Sequence, residues 1–241
     1  MKKIKILAIA LAMSFPMSSS FAYVSSSEVE INPSLNDPST IISNYINAIG
    51  GKDKVSKIKN AVVNMEAEFQ GAKIEMKQIS DSENERMVQE TSFMGNVAQK
   101  TTLIDGKGKV MGMGQEEDLS EEMVQLLKAQ IYVFPEQHYE ELGYSLELQG
   151  TEEIDGEEAH KLIITTGNNQ KTVEYYSLSS GLKLRTSSEA TGDITYSDYE
   201  EVDGVRFPMK LTIKSPMMPV EMEAKVTSLK FNQELSVEDF K

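Results

Sequence analysis

A strict period of two limits this chain more than any other feature. Apolar Val63, Met65, Ala67 and Phe69 alternate with polar Asn64, Glu66, Glu68 and Gln70, and Gly71 then turns the chain. On the return, Ala72, Ile74 and Met76 alternate with Lys73, Glu75 and Lys77. Successive strand side chains point to opposite faces, so each of these strands has one face in apolar surroundings and one in water. The pattern predicts further strands over 87–93, 97–104 and 109–113, with turns at 81–84, Gly95-Asn96 and Asp105-Gly106. Seven more follow, over 144–150, 160–165, 172–178, 182–188, 194–200, 205–213 and 220–231. Their turns are marked by Asp155-Gly156, Gly167-Asn168, Ser180-Gly181, Gly192 and Asp203-Gly204. A parallel α/β architecture needs a helix between successive strands, and none is predicted there. Short strands with turns about every ten residues indicate a mainly β (α+β) chain: one large curved antiparallel sheet or an incomplete β-barrel.

Two helices interrupt the alternation. Asp37 and Pro38 open the first, with Ile41, Ile42, Tyr45, Ile46 and Ile49 on one face and Gly50-Gly51 at the end. A short basic turn, 52–59, leads on to the sheet. The second helix is predicted over 118–130, DLSEEMVQLLKAQ, with Leu119, Met123, Leu126 and Leu127 as a single apolar stripe. Glu121, Glu122, Gln125 and Lys128 face away, and Asp118 with Glu121 reads as a capping box. Such a stripe, placed between two meanders, must lie on a sheet.

The termini add expectations about location. Residues 1–22 combine basic Lys2, Lys3 and Lys5, an apolar run over 6–15 and a small-x-small site at Ser20-Phe21-Ala22. This is the pattern of a signal peptide cleaved after Ala22, and the apolar run is short of the roughly 20 residues a spanning helix needs. Residues 23–36 are expected to be a flexible lead-in and 37–241 a single domain. The expected protein is therefore exported, periplasmic and not integral to the membrane. The chain has no cysteine, hence no disulfide and no lipidated cysteine. Its formal charge of −14 would become −17 once the three leader lysines are gone. That balance argues against nucleic acid and anionic headgroups and favours a basic protein partner.

Chemistry-bearing motifs are sparse. His138 and His160 lie in no HExxH motif, and neither a GxSxG elbow nor a phosphate-binding glycine loop occurs. We therefore expect no catalytic residue, no metal and no cofactor. The acidic run 115–118 is read as a solvated loop leading to the helix cap, since it lacks the spacing of a calcium loop. Tyr175, Tyr176, Tyr196 and Tyr199 lie on acidic strands without the cations a nucleic-acid surface requires. Eleven methionines remain after the leader, seven of them at 65, 76, 87, 94, 111, 113 and 123. Methionine fills irregular cores and also adapts to varied apolar guests, and composition alone leaves both uses open.

Two stretches carry a family resemblance: YINAIGGKDKVSKIKN (45–60) and YSDYEEVDGVRFPMKLTI (196–213). They resemble the LolA-like periplasmic carriers, the bacterial outer-membrane lipoprotein-sorting proteins. That resemblance implies a half-barrel covered by two or three helices, with an apolar cavity for lipoprotein acyl chains or another lipid. By the same analogy Met65, Phe69, Met76, Met87, Phe93, Met111 and Met113 would line the cavity, with Met123, Leu126 and Leu127 as lid contacts. The carriers latch the lid with an arginine, and none of Arg86, Arg185 or Arg206 lies in a matching motif. The alternative expectation is an interaction module that docks on an envelope peptidase or secretion partner through its acidic face.

Overall fold

The computed structural model describes residues 37–112, 114–189, 191–216 and 220–241. The expected signal peptide 1–22, the expected lead-in 23–36 and Met113 lie outside the described residues. The first half runs α1 (Pro38–Ile49), α2 (Lys52–Val55), β1 (Asn60–Phe69), β2 (Ala72–Asp81), β3 (Arg86–Phe93), β4 (Asn96–Ile104), β5 (Lys107–Gly112) and β6 (Gln115–Asp118). A bridging segment holds α3 (Glu121–Leu127) and two 3-10 turns, Lys128–Ile131 and Pro135–His138. The second half is β7 (Ser145–Ile154), β8 (Glu157–Thr165), β9 (Lys171–Ser177), β10 (Lys183–Ser188), β11 (Gly192–Val202), β12 (Val205–Lys214) and β13 (Met222–Phe231), followed by a 3-10 turn, Val237–Phe240.

All strands join one antiparallel 13-stranded sheet of order β6-β5-β4-β3-β2-β1-β13-β12-β11-β10-β9-β8-β7. The two meanders meet where β1 pairs with β13. The free edges, β6 and β7, are neighbours in sequence, so the chain between them must travel from one edge of the sheet to the other. It does so across the inner face. The sheet is curved but not closed into a barrel.

The local chemistry of the ends is as the sequence predicts for α1. The Asp37 side chain accepts from the Ser39 amide at 3.3 Å, Pro38 takes the first turn, and Gly50 ends the helix at φ 146°. A side chain at Gly50 would sit 2.7 Å from the Gly204 carbonyl, so the close approach of α1 to the β11–β12 turn requires glycine. Three expectations need correction. Residues 115–118 are a strand rather than a loop, paired through Lys109–Asp118 and Met111–Glu116. Helix α3 is shorter than predicted and is capped by Ser120, whose hydroxyl accepts from the Met123 amide at 3.3 Å, so Asp118 belongs to the strand. Part of the basic turn, Lys52–Val55, is a one-turn helix.

Candidate functional site

The inner face can be followed strand by strand through the pairing. Met65 stands opposite Met76 and Ala67 opposite Ile74. Ile74 in turn faces Phe93. On the other side Ala67 pairs with Ala224, Leu211 with Ala224, Ile213 with Met222 and Ile194 with Ile213. Ala67, Ile74, Ile213, Met222 and Ala224 are buried, and Phe69, Met76, Phe93, Ile194 and Leu211 pack on them while partly exposed. No helix residue belongs to this cluster. It forms an apolar trough running from β3 to β11, in which five side chains are buried and five partly exposed.

Farther along the strands, the inner face is covered. Helix α1 seats Ile41, Ile42, Tyr45, Ile46 and Ile49 over Val63, Leu162, Ile164, Val205 and Phe231. Phe134 of the bridging segment packs its ring 6.3 Å from both Phe207 and Phe231. Over the first meander, Val124 and Ile131 close on Met87 and Leu103, with Leu119 and Leu127 alongside. Gly108 makes room for this seat, since a Cβ there would lie 2.9 Å from Val124 Cγ2 and 3.0 Å from Leu119 Cδ1. Between this helix-covered cluster and the open trough runs a polar belt in which Gln78 faces Gln89 and Gln89 faces Thr101. Gln89 donates to the Gln130 side chain, and the Ser80 hydroxyl donates to the Gln130 carbonyl at 2.7 Å.

The structure thus divides the predicted cavity residues. Phe69, Met76 and Phe93 share the inner-face cluster that no helix joins, while Met65, on the same face, packs against the cluster beneath α1. Met87 is wholly buried beneath the helix, and partly buried Leu127 of α3 packs on the same cluster. Leu126 is buried at 5% exposure and Met123 partly exposed, yet neither belongs to that cluster. Met111 does not join them. It pairs with Lys100, which lies opposite Glu90, on the face away from Val110, Thr101 and Gln89. The pairing of Leu103 with Gly108 sets this register, and a shift of one residue exchanges the two faces. Val124, which the apolar stripe omitted, is the residue α3 buries against the sheet.

The second meander holds a group that sequence reading missed. Lys183, Glu136 and Glu174 are buried together, with side chains 8%, 4% and 6% exposed. The ammonium lies 2.5 Å from Glu136 Oε1 and 2.9 Å from Glu174 Oε1. Tyr139 and Tyr176 both donate to Glu174, Tyr139 at 2.8 Å. Burial alone would push the Lys183 ammonium down, but the two carboxylates more than reverse this and hold its pKa above the ordinary range. Burial raises the phenols of Tyr45, Tyr139 and Tyr176 well above theirs. Glu136 and Tyr139 come from the bridging segment and Glu174 and Lys183 from the sheet, so this buried group ties the cover down. His160 faces Tyr176, its pKa lowered by burial, with Nδ1 enclosed and unpartnered. Among the described residues no group of three or more His, Cys, Asp or Glu is placed to hold a metal ion, and no helix is long and apolar enough to cross a membrane.

The sequence matches no protein-family model and no curated protein. Its structure is nevertheless similar to solved ones. A putative outer membrane lipoprotein-sorting protein domain from Vibrio parahaemolyticus superposes with TM-score 0.55 at 12% identity, over 84% of this chain and 95% of that one. A LolA superfamily protein from Nitrosomonas europaea gives 0.55 at 15% identity, over 85% and 97%. A DUF1329 family protein from Desulfovibrio piger gives 0.55 at 16%, over 85% and 98%. At these identities the likeness is one of fold.

Proposed function

We propose that this protein is a periplasmic carrier that holds the acyl chains of a lipoprotein or lipid in the trough lined by Phe69, Met76 and Phe93, without changing them chemically. One observation carries the reading: along an apolar row from β3 to β11 on the inner face, Phe69, Met76, Phe93, Ile194 and Leu211 stay partly exposed and no helix residue joins them. Partly exposed apolar surface of this extent is unfavourable in water and marks a place that something apolar covers. Methionine suits an occupant of variable shape. The LolA-like fold and the name of the Vibrio parahaemolyticus structure support the same class of ligand.

The energetics are adequate. Each buried methylene contributes about 0.8 kcal/mol, so about fifteen give roughly 12 kcal/mol. Association costs at least about 4 kcal/mol, leaving roughly 8, which corresponds to micromolar binding. Titration with a spin-labelled palmitoyl probe tests this. The wild type should immobilise the label with an affinity nearly indifferent to salt, because burial of hydrocarbon involves no exposed charge. Met76→Glu puts a carboxylate where the chain would lie and should weaken binding at least about tenfold while the melting transition stays cooperative. Equal probe affinity in wild type and Met76→Glu would remove the trough from the mechanism.

A further inference from the structure

The sheet's two free edges both carry acids but differ in length. Strand β6 is four residues long, fully exposed, and carries Glu116, Glu117 and Asp118. Short, charged edges are the usual protection against unwanted strand pairing. Strand β7 is ten residues long, with neither lysine nor proline. Its one strand partner is β8, and among the described residues no further backbone hydrogen bond reaches 145–154. A register shift between Leu148 and Thr151 is its only irregularity.

Charge on that edge points to what it would accept. Glu152 is matched by Lys161 at 2.9 Å. Glu153, however, stands directly opposite Glu158, both are exposed, and among the described residues no cation lies within ion-pair distance of either. Exposed Glu147 is likewise without one. Like charges placed directly across a strand pair are unfavourable, and a cation brought to them relieves the repulsion. A second copy of this chain does not fit, because both of its free edges carry acids. We propose that the outer edge of β7 accepts an extended segment of a partner protein bearing lysine or arginine, paired backbone to backbone as one further strand. Main-chain hydrogen bonds would supply affinity and the carboxylates the choice of sequence. This surface is separate from the trough and stands whether or not the carrier reading holds.

The test uses a blocked heptapeptide with lysine at alternate positions and valine or threonine between, and a matched peptide with glutamate for lysine. Only the lysine peptide should bind, and less well as salt rises, with slowed amide exchange confined to 145–154. The double variant Glu153→Gln/Glu158→Gln should weaken binding by about two- to fivefold per charge removed. Its melting temperature should not fall, since it also removes the repulsion; a residue pair with a purely structural role would lower it. Glu147 pairs with Ile163 and lies on the other face of the sheet, so Glu147→Gln is the comparison variant and should change binding of the lysine peptide less. Protection elsewhere than 145–154, equal binding of the two peptides, or unchanged affinity in the double variant would overturn the proposal. So would concentration-dependent protection of 145–154 without peptide, which would assign the edge to self-association.

Discussion

Lys183 carries one positive charge between two buried carboxylates, and the cost of removing it would exceed that of removing either partner. Lys183→Met leaves Glu136 and Glu174 uncompensated in the interior, an arrangement that costs about 3–5 kcal/mol. Glu136→Gln leaves one carboxylate with one ammonium and should cost distinctly less, which urea unfolding of the two variants will resolve. Alkaline pH acts on the same group. The folded pKa of Lys183 lies above its unfolded value, as do those of Tyr45, Tyr139 and Tyr176. In the unfolded chain these groups lose their protons near pH 10, so above that pH the folded state binds more protons and stability falls as pH rises. The contribution is fully present below about pH 10. Denaturation midpoints from pH 8 to 11 should therefore be flat and then drop, and in Lys183→Met the drop should be shallower. Nothing in the sequence marks this group. Glu136 lies in the polar run PEQH and Glu174 alternates with apolar Val173 and Tyr175, so both look like solvent-facing acids until the fold brings Lys183 between them.

At the scale of elements, helix α3 is held by a small contact: Val124 and Leu119 over Gly108, and Ile131 beside Met87 and Leu103. Gly108→Val fills the space that Val124 occupies. It should lift α3 from β5 while leaving the strand pairing intact, because the displaced atoms are side-chain atoms of a short helix that buries only Val124 and Leu126. Hydrogen exchange should then quicken across 119–131 with little change in the global melting temperature, as expected of a locally detachable unit. Loss of the whole transition would mean that α3 is part of the core. The sequence made most elements visible, because alternation and positive-φ turns are local properties. Asp105-Gly106, Asp155-Gly156 and Asp203-Gly204 all adopt the left-handed conformation their residues favour. It concealed β6, whose four residues are polar on both faces and so have no period to read. It also misplaced Met111, since only the pairing of β4 with β5 decides which face of that strand looks inward.

The whole molecule is shaped by one topological fact: the two edges of the sheet are adjacent in sequence, so the connection between them must cross the inner face. That connection covers the ends of the face where Met87 and Lys183 lie, and leaves the row from Phe93 to Ile194 partly exposed. The alternation over 63–76 already sets Met65, Phe69 and Met76 on one face, as the pairing of β1 with β2 has them. What it left out was the polar belt of Gln78, Gln89 and Thr101, which separates the open trough from the helix seat. The central claim is that the trough holds an acylated molecule. Native mass spectrometry of the protein purified without detergent, beside extraction and analysis of its lipids, measures that directly. The account predicts a stoichiometric mass increment matching an extracted acyl-bearing species, present in the wild type and missing from Met76→Glu. A wild type that carries only its own mass and takes up no palmitoyl chain when one is supplied would contradict it.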